Sequence, residues 1–311
     1  MLRLGMASNI SRQRYLFTEP GTYYIDLFRS LSAQERKMFR QGQVAHVHGG
    51  LIKDSNNESV VRMNVAPDTW VTRTAWRRGQ RLWMQMINGA LEASKGINKS
   101  KYTDYKVYLN SASATAYSVL PVDASGATIP SGEWIYSKYH SEDVDWSDPA
   151  LLTNTNRQAD TFNAHIVGEH GGTPANWTRV GLIRSWIDSR AQPDDFPQGN
   201  LPATISTDPL MNLFDEADAA DEIIDSLRAD NDEPPYDEDL HFGIDPAVVS
   251  VSSGGHLQRV AMAATQAGAG QIASLNGFSA ICGLVQVHIT QGSPSGEVEL
   301  ILDVSTKGGK I

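Results

Sequence analysis

Several absences narrow the reading of this 311-residue chain. It has one cysteine, Cys282, which excludes an internal disulfide framework and a cysteine-rich metal site. That cysteine lies in the apolar run Ala280-Ile281-Cys282-Gly283-Leu284-Val285 and reads as a small buried hydrophobe. No apolar run approaches the ~18 to 20 residues that would cross a bilayer, and Met1 to Tyr15 has no apolar signal core. The expectation is neither an integral membrane protein nor a secreted one. Catalytic signatures are missing as well: there is no Gly-x-Ser-x-Gly elbow, no P-loop, no His-Glu-x-x-His and no complete dinucleotide fingerprint, and Gly268-Ala269-Gly270 lacks the third glycine. A basic arm is scarce, since only Arg3, Arg12 and Arg14 precede the first acid, Glu19, whereas proteins that neutralise phosphates normally carry a basic face or arm.

What is present is an ordinary globular composition, 41% hydrophobic and 20% charged, with 26 Gly and 14 Pro that show no collagen-like period. The length allows a large core and has two domains as its prior. A division is expected near residues 195/196, with a first β region and a long helix before it and an acidic segment plus a second β region after it.

The formal charge of -10 is concentrated. Asp208 to Asp239 holds 13 acids against Arg228 alone, leaving 23 acids and 25 bases in the remainder. The acidic pI therefore describes one segment and not the body. Asp208 is a candidate N-cap and Pro209 a first helical residue for a helix through Ala229, which Pro234-Pro235 would stop.

Alternating, β-branched and aromatic runs recur at Gln43 to Ile52, Ser59 to Val65, Asp104 to Leu109, Glu133 to Tyr139, Thr161 to Val167, Arg179 to Ile187, Val248 to Ser252, Val260 to Ala264, Leu284 to Thr290 and Glu297 to Val304. Clusters of Gly, Pro, Asn, Asp and Ser separate them, which predicts an all-β sandwich or barrel. Ser32-Ala33-Gln34-Glu35 has capping-box form and predicts a short helix through Arg40. A longer helix is predicted from about Asp68 to Ser94, with Trp76, Trp83, Met86, Ile87 and Ala90 on a core face and Arg73, Arg77, Arg78 and Arg81 in a separate cationic sector. Trp70 reads as a further core anchor.

Three constellations can carry chemistry. Four guanidiniums along one helix side suit a subunit contact or a nucleic-acid backbone. The carboxylates Asp230, Asp232, Glu233, Asp237, Glu238 and Asp239 are hard oxygen ligands that can take Ca²⁺ or face a basic surface on a neighbouring copy, although they match no EF-hand spacing. His46 and His48, two apart on a strand, point to one face and can share a metal, with Asp54 or Glu58 nearby. This resembles the first motif of cupins, but Glu58 is too far along and no second motif follows around His165 or His170.

The order of features resembles the capsid proteins of small single-stranded DNA viruses and phages. The resemblance rests on Tyr24-Ile25-Asp26-Leu27 leading into Leu31-Ser32 and Phe39-Arg40-Gln41-Gly42, then Ala66-Pro67-Asp68-Thr69-Trp70, then Tyr102-Thr103-Asp104-Tyr105-Lys106-Val107-Tyr108. Asp232-Glu233-Pro234-Pro235-Tyr236-Asp237 and Cys282-Gly283-Leu284 complete it. It implies a jelly-roll major capsid protein, located in the virion, that self-assembles into an icosahedral shell around a DNA genome and has no catalytic role. The implied partners are further copies of the chain, other virion proteins, and packaged DNA or an internal lipid layer. A double jelly roll, which suits the length and strand number, is the expected form, with a single jelly roll carrying helical insertions, which suits the two strand candidates before the long helix, as the alternative. The alternatives are a cupin-like metal enzyme using His46 and His48, and a trimeric phage spike or tail protein.

Overall fold

Alternation of apolar and polar residues builds most of the structure. In β13 (Val298–Ser305), Val298, Leu300, Leu302 and Val304 are buried, with less buried residues between them. The same period places Val61, Met63 and Val65 of β4 (Ser59–Val65) and Val285, Val287 and Ile289 of β12 (Leu284–Gln291) inside. Burying a side chain of this size contributes roughly 1.5 to 3 kcal/mol, so a one-residue slip that turned such a row to solvent would be heavily disfavoured. The computed structural model describes residues 10–55, 58–94, 100–116, 118–142, 159–173, 176–189, 257–265, 272–291, 296–306 and 311. The chain is mostly β, and its sheets are mainly antiparallel.

Two sheets pack on one core. The first runs β1 (Ser11–Phe17), β13, β3 (Val44–Asp54), with β10 (Ile272–Leu275) and β11 (Phe278–Ile281) pairing successive parts of β3 as one interrupted edge. The second runs β2 (Gly21–Asp26), β12, β4, β9 (Gln258–Ala264). Tyr15, Phe17, Ile52 and Leu300 from the first meet Ile25, Met63 and Val287 from the second in one apolar cluster. Strands from both sides of the 195/196 boundary share these sheets: β13 lies between β1 and β3, and β12 between β2 and β4.

Arg12 and Arg14, read from the sequence as a thin basic arm, belong to β1. Their guanidiniums pair across the ladder with Asp303 and Glu299 of β13, at 2.7 and 2.6 Å. The inward residues Gln13, Tyr15 and Phe17 make this a strand, and the alternating arginines face carboxylates. One edge of each sheet is then covered by the same segment. Val119 N–H donates to the Tyr24 carbonyl and Val122 N–H to the Arg14 carbonyl, so a single stretch blunts β2 and β1 together.

Between β4 and β9 the chain leaves the sandwich. It forms α2 (Trp70–Ala93), β5 (Lys138–Glu142), β6 (Ala159–His165), β7 (Gly171–Thr173), β8 (Asn176–Gly181) and α3 (Leu182–Asp188). The order β5-β6-β8-β7 makes a small sheet in which β6 and β8 run parallel, an exception to the antiparallel pattern. A second apolar cluster joins this layer to the sandwich through Trp76, Trp83, Tyr105, Ile166 and Ile183 against Ile281 and Leu284.

The helices differ in detail from the sequence reading. α1 spans Leu27–Glu35 with Asp26 as its cap, so Ser32 lies inside the helix rather than at its start. Leu27, Phe28 and Leu31 give it a buried face, whereas Ser32 Oγ donates back to the Phe28 carbonyl within the helix. α2 matches its expected span and is capped by Thr69, whose Oγ1 accepts from Thr72 N–H at 3.2 Å. Arg179 to Ile187 divides into the end of β8 and α3, because Ile183 packs in one cluster with Trp186 and Ile187, three and four residues on, which is helical spacing rather than alternation. Asp104 to Leu109 is extended without joining a named strand, and in Glu133 to Tyr139 the strand begins only at Lys138. Val248 to Ser252 and Pro209 to Ala229 lie outside the described residues.

Candidate functional sites

The cationic sector of α2 is split in two by its surroundings. Arg73 folds back onto Asp68 in a two-pronged ion pair at 2.6 and 2.8 Å, and Arg78 lies over the Trp186 ring at 5.8 Å while donating to Ser189 Oγ. These two are occupied within the subunit. Arg77 and Arg81, one turn apart, are exposed, and Trp70 and Leu82 on the same helix are 53% and 48% exposed. Trp70 is therefore not the core anchor that its neighbours Trp76 and Trp83 are. On the opposite side Trp76 and Trp83 each approach Tyr105 at 5.5 Å between ring centroids. There the helix comes so close that a Cβ at Gly79 would lie 2.5 Å from Tyr105 Oη. Tyr139 donates to the Gly79 carbonyl at 2.7 Å, which leaves Tyr105 to donate to Tyr139 at 2.7 Å. Met86 and Ile87 are half-buried and Ala90 is exposed, so the core face fades toward the helix C-terminus.

His46 and His48 sit where β3 bulges against β13: Gly49 pairs with Asp303 but Val47 pairs with Val304. The two imidazoles go to different strands. His46 Nδ1 is 2.8 Å from Ser279 Oγ on β11, and His48 Nε2 is 2.8 Å from Ser305 Oγ on β13. Asp54 is buried elsewhere, accepting from Ser59 N–H at 3.0 Å and Thr265 Oγ1 at 2.9 Å. Among the described residues no group of three or more His, Cys, Asp or Glu side chains is placed to hold a metal. The carboxylates Asp230, Asp232, Glu233, Asp237, Glu238 and Asp239 lie outside the described residues.

A highly connected buried polar residue was not singled out as a site in the sequence. Asp26 is 1% exposed, and five donors converge on its carboxylate. Oδ1 accepts from the N–H groups of Phe28 and Arg29, both at 3.1 Å, as the cap of α1. Oδ2 accepts from Gln41 Nε2 at 2.8 Å, Trp134 Nε1 at 3.0 Å and Tyr136 Oη at 3.3 Å. Burial pushes the carboxyl up from its ordinary range, and these donors, which favour the ionised form, pull the other way. One side chain thus ties β2, α1, the segment after α1 and the inserted layer together. Its sequence signal was an Asp directly before Leu27-Phe28, the ordinary cap pattern, but its inserted-layer partners Trp134 and Tyr136 are more than 100 residues away.

Two other buried groups have structural surroundings. Cys282 is fully buried at φ 56°, with its thiol pushed well above its usual range by burial. His165 is 1% exposed and donates from Nε2 to the Glu169 carbonyl at 3.0 Å, leaving Nδ1 without a hydrogen-bond partner. Burial lowers its pKa to about 4. No protein-family model matches the chain, and comparisons with curated proteins and with solved structures find no match.

Proposed function

We propose that the chain is a structural shell subunit built on a single jelly roll, with a long insertion between its fourth and fifth strands. The observation that carries this is strand order. With β10 and β11 taken as one edge, the eight strands in chain order are β1, β2, β3, β4, β9, β10/β11, β12 and β13. They interleave as β1-β13-β3-β10/β11 over β2-β12-β4-β9, the two linked Greek keys of a jelly roll. A double jelly roll would need a second such pair. The remaining described sheet, β5-β6-β8-β7, contains a parallel pair and belongs to the insertion. The residue 195/196 division then marks no boundary between sandwiches.

Jelly rolls also serve in lectins and cupins, so the strand order supports the shell reading only together with the surface. Exposed Arg77 and Arg81, with exposed Trp70 on the same side of the helix two turns before Arg77, form a stripe of the composition that interface cores favour. The segment Asp208 to Asp239 supplies the complementary charge in the same chain, for a neighbouring copy or with Ca²⁺. On this reading the shell encloses a DNA genome, directly or over a lipid layer, and the chain has no catalytic role.

The test is assembly: purified chain should form closed particles, or uniform trimers that associate as salt or Ca²⁺ changes. Small oligomers under all conditions would fit a spike or tail component and would overturn the shell reading. The cupin reading is separated by metal analysis. His46 and His48 held by separate serines favour a preparation without stoichiometric transition metal, whereas stoichiometric Fe, Mn, Ni or Zn lost on His46→Ala would favour the enzyme.

A further inference from the structure

Beside the C-terminal end of α1 there is an open groove whose walls carry Arg29, Arg36, Lys37 and Lys106, with Glu133 as its single lining acid and Tyr102 at its rim. Arg36 and Lys37 are exposed, and Arg36 caps α1 in the left-handed conformation (φ 52°), which turns the chain out of the helix at this point. Lys106 differs from its neighbours. Its residue is only 6% exposed, and its ammonium lies 4.8 Å from the centre of the Trp134 ring, yet among the described residues it has no carboxylate within ion-pair distance. Asp104, the acid nearest in sequence, pairs through Oδ1 with Arg40 at 3.1 Å, and Asp26 is filled by its five donors. Burial lowers the Lys106 pKa, against the smaller opposing pull of the Asp104, Asp26 and Glu133 carboxylates nearby, none of which pairs with its ammonium.

Desolvated positive charge facing a cationic groove is costly unless an anion visits it. Ordinary surface lysines extend into water; this one is held under Trp134. Arg29 is fixed from below, donating from Nε to Ser131 Oγ at 3.2 Å, which leaves its terminal nitrogens as donors. Tyr102 is 66% exposed, with the Lys101 ammonium 5.8 Å from its ring centre. Several cations along a groove with an accessible aromatic face are the features by which proteins hold single-stranded nucleic acid, phosphates on the cations and a base on the ring.

We propose that this groove binds the phosphodiester backbone of single-stranded nucleic acid, with Lys106, Arg36, Lys37 and Arg29 as the phosphate contacts and Tyr102 as a stacking platform. It deepens the shell reading by assigning the genome contact to the groove, and it leaves the exposed face of α2 for subunit contacts.

The experiment is fluorescence anisotropy of a short fluorescein-labelled oligothymidylate with the full chain across a salt series. Arg36→Ala plus Lys37→Ala changes exposed side chains only and should weaken binding about tenfold or more, lowering the slope of log affinity against log salt by about 1.4 for two lost phosphate contacts. Lys106→Met keeps the hydrocarbon over Trp134 and should weaken binding in the same direction, with an unchanged circular dichroism spectrum. Tyr102→Ala should reduce affinity for the oligonucleotide while leaving heparin binding unchanged. Affinity and slope unchanged in the groove variants would overturn the proposal, as would loss on Arg77→Ala plus Arg81→Ala alone. Heparin competing equally well, with no effect of Tyr102→Ala, would replace nucleic acid by a general polyanion and also overturn it. Particles without oligonucleotide binding would refute the groove alone, and binding without particles would refute the shell alone.

Discussion

Replacing Asp26 tests whether one buried carboxylate joins the sandwich to its inserted layer. Asp26→Ala removes the α1 cap, which costs about 1 kcal/mol. It also orphans the amide of Gln41, a residue 0% exposed, and a buried donor without a partner costs about 1 to 3 kcal/mol. Trp134 and Tyr136 are only half-buried, so water can replace their bonds at small cost. Relief of the buried negative charge offsets part of the loss. The expected net destabilisation is about 1.5 to 3.5 kcal/mol, read as a lower urea midpoint by far-UV circular dichroism and by tryptophan fluorescence. Asp26→Asn should lose nearly as much, because one amide oxygen cannot serve both the cap and the side-chain donors, and its NH₂ would face donors. A loss below about 1 kcal/mol for Asp26→Ala, or an Asn variant equal to the parent, would refute this account of the junction.

Other perturbations follow from single contacts. Gly283 sits at φ 66° in the two-residue turn between β11 and β12, and a Cβ there would lie 2.6 Å from the Phe28 ring. Gly283→Ala should cost about 2 to 4 kcal/mol from left-handed strain plus overpacking, and a urea midpoint near the parent's would contradict that. His165, with its pKa lowered to about 4, stays neutral in the folded chain where the unfolded chain takes up a proton, so its contribution is complete above about pH 6.5 and is lost on acidification toward pH 4. That contribution is about 3 kcal/mol, and the difference in urea midpoint between pH 7 and pH 4.5 should shrink in His165→Gln; an equal difference in both proteins would refute it. Arg77→Glu plus Arg81→Glu should abolish salt-dependent association without lowering the subunit's unfolding midpoint, and assembly at the parent's salt range would count against the α2 interface. Individually such exposed charges contribute about 0 to 1 kcal/mol, so the effect depends on repetition over many contacts.

Parts of this architecture could be read directly from the chain. Ser59–Val65 and Leu284–Gln291 alternate so regularly that period alone finds β4 and β12, and α2 announces itself by a tryptophan stripe opposite arginines. β1 escaped because Arg12 and Arg14 dominate a short run, and only the facing Asp303 and Glu299, nearly 300 residues away, show them to be cross-strand partners. β2 passed into α1 without a break, and the choice between Asp26 and Ser32 as cap was decided by which start buries Leu27, Phe28 and Leu31. α3 was hidden because Val180, Leu182 and Ile183 satisfy either period over so few residues.

The site residues divide in the same way. The arginines of α2 were visible as a group, but not that Asp68 occupies Arg73 and that Trp186 and Ser189 occupy Arg78. His46 and His48 looked like a metal pair because a regular strand would aim both at one point; the bulge against Asp303 and Val304 accompanies their separation onto two serines. The Asp26 junction and the groove at Lys106 are long-range arrangements, joining residues from 26 to 136, and carry no local pattern beyond a helix cap.

The central claim is the proposal that this β-sandwich is the jelly roll of a shell subunit. Negative-stain electron microscopy of the purified chain, with light scattering across a salt and Ca²⁺ series, tests it most directly. Closed particles of uniform diameter, or uniform trimers that associate into them as conditions change, are the expected result. A monomer or dimer that persists through the whole series would contradict the claim.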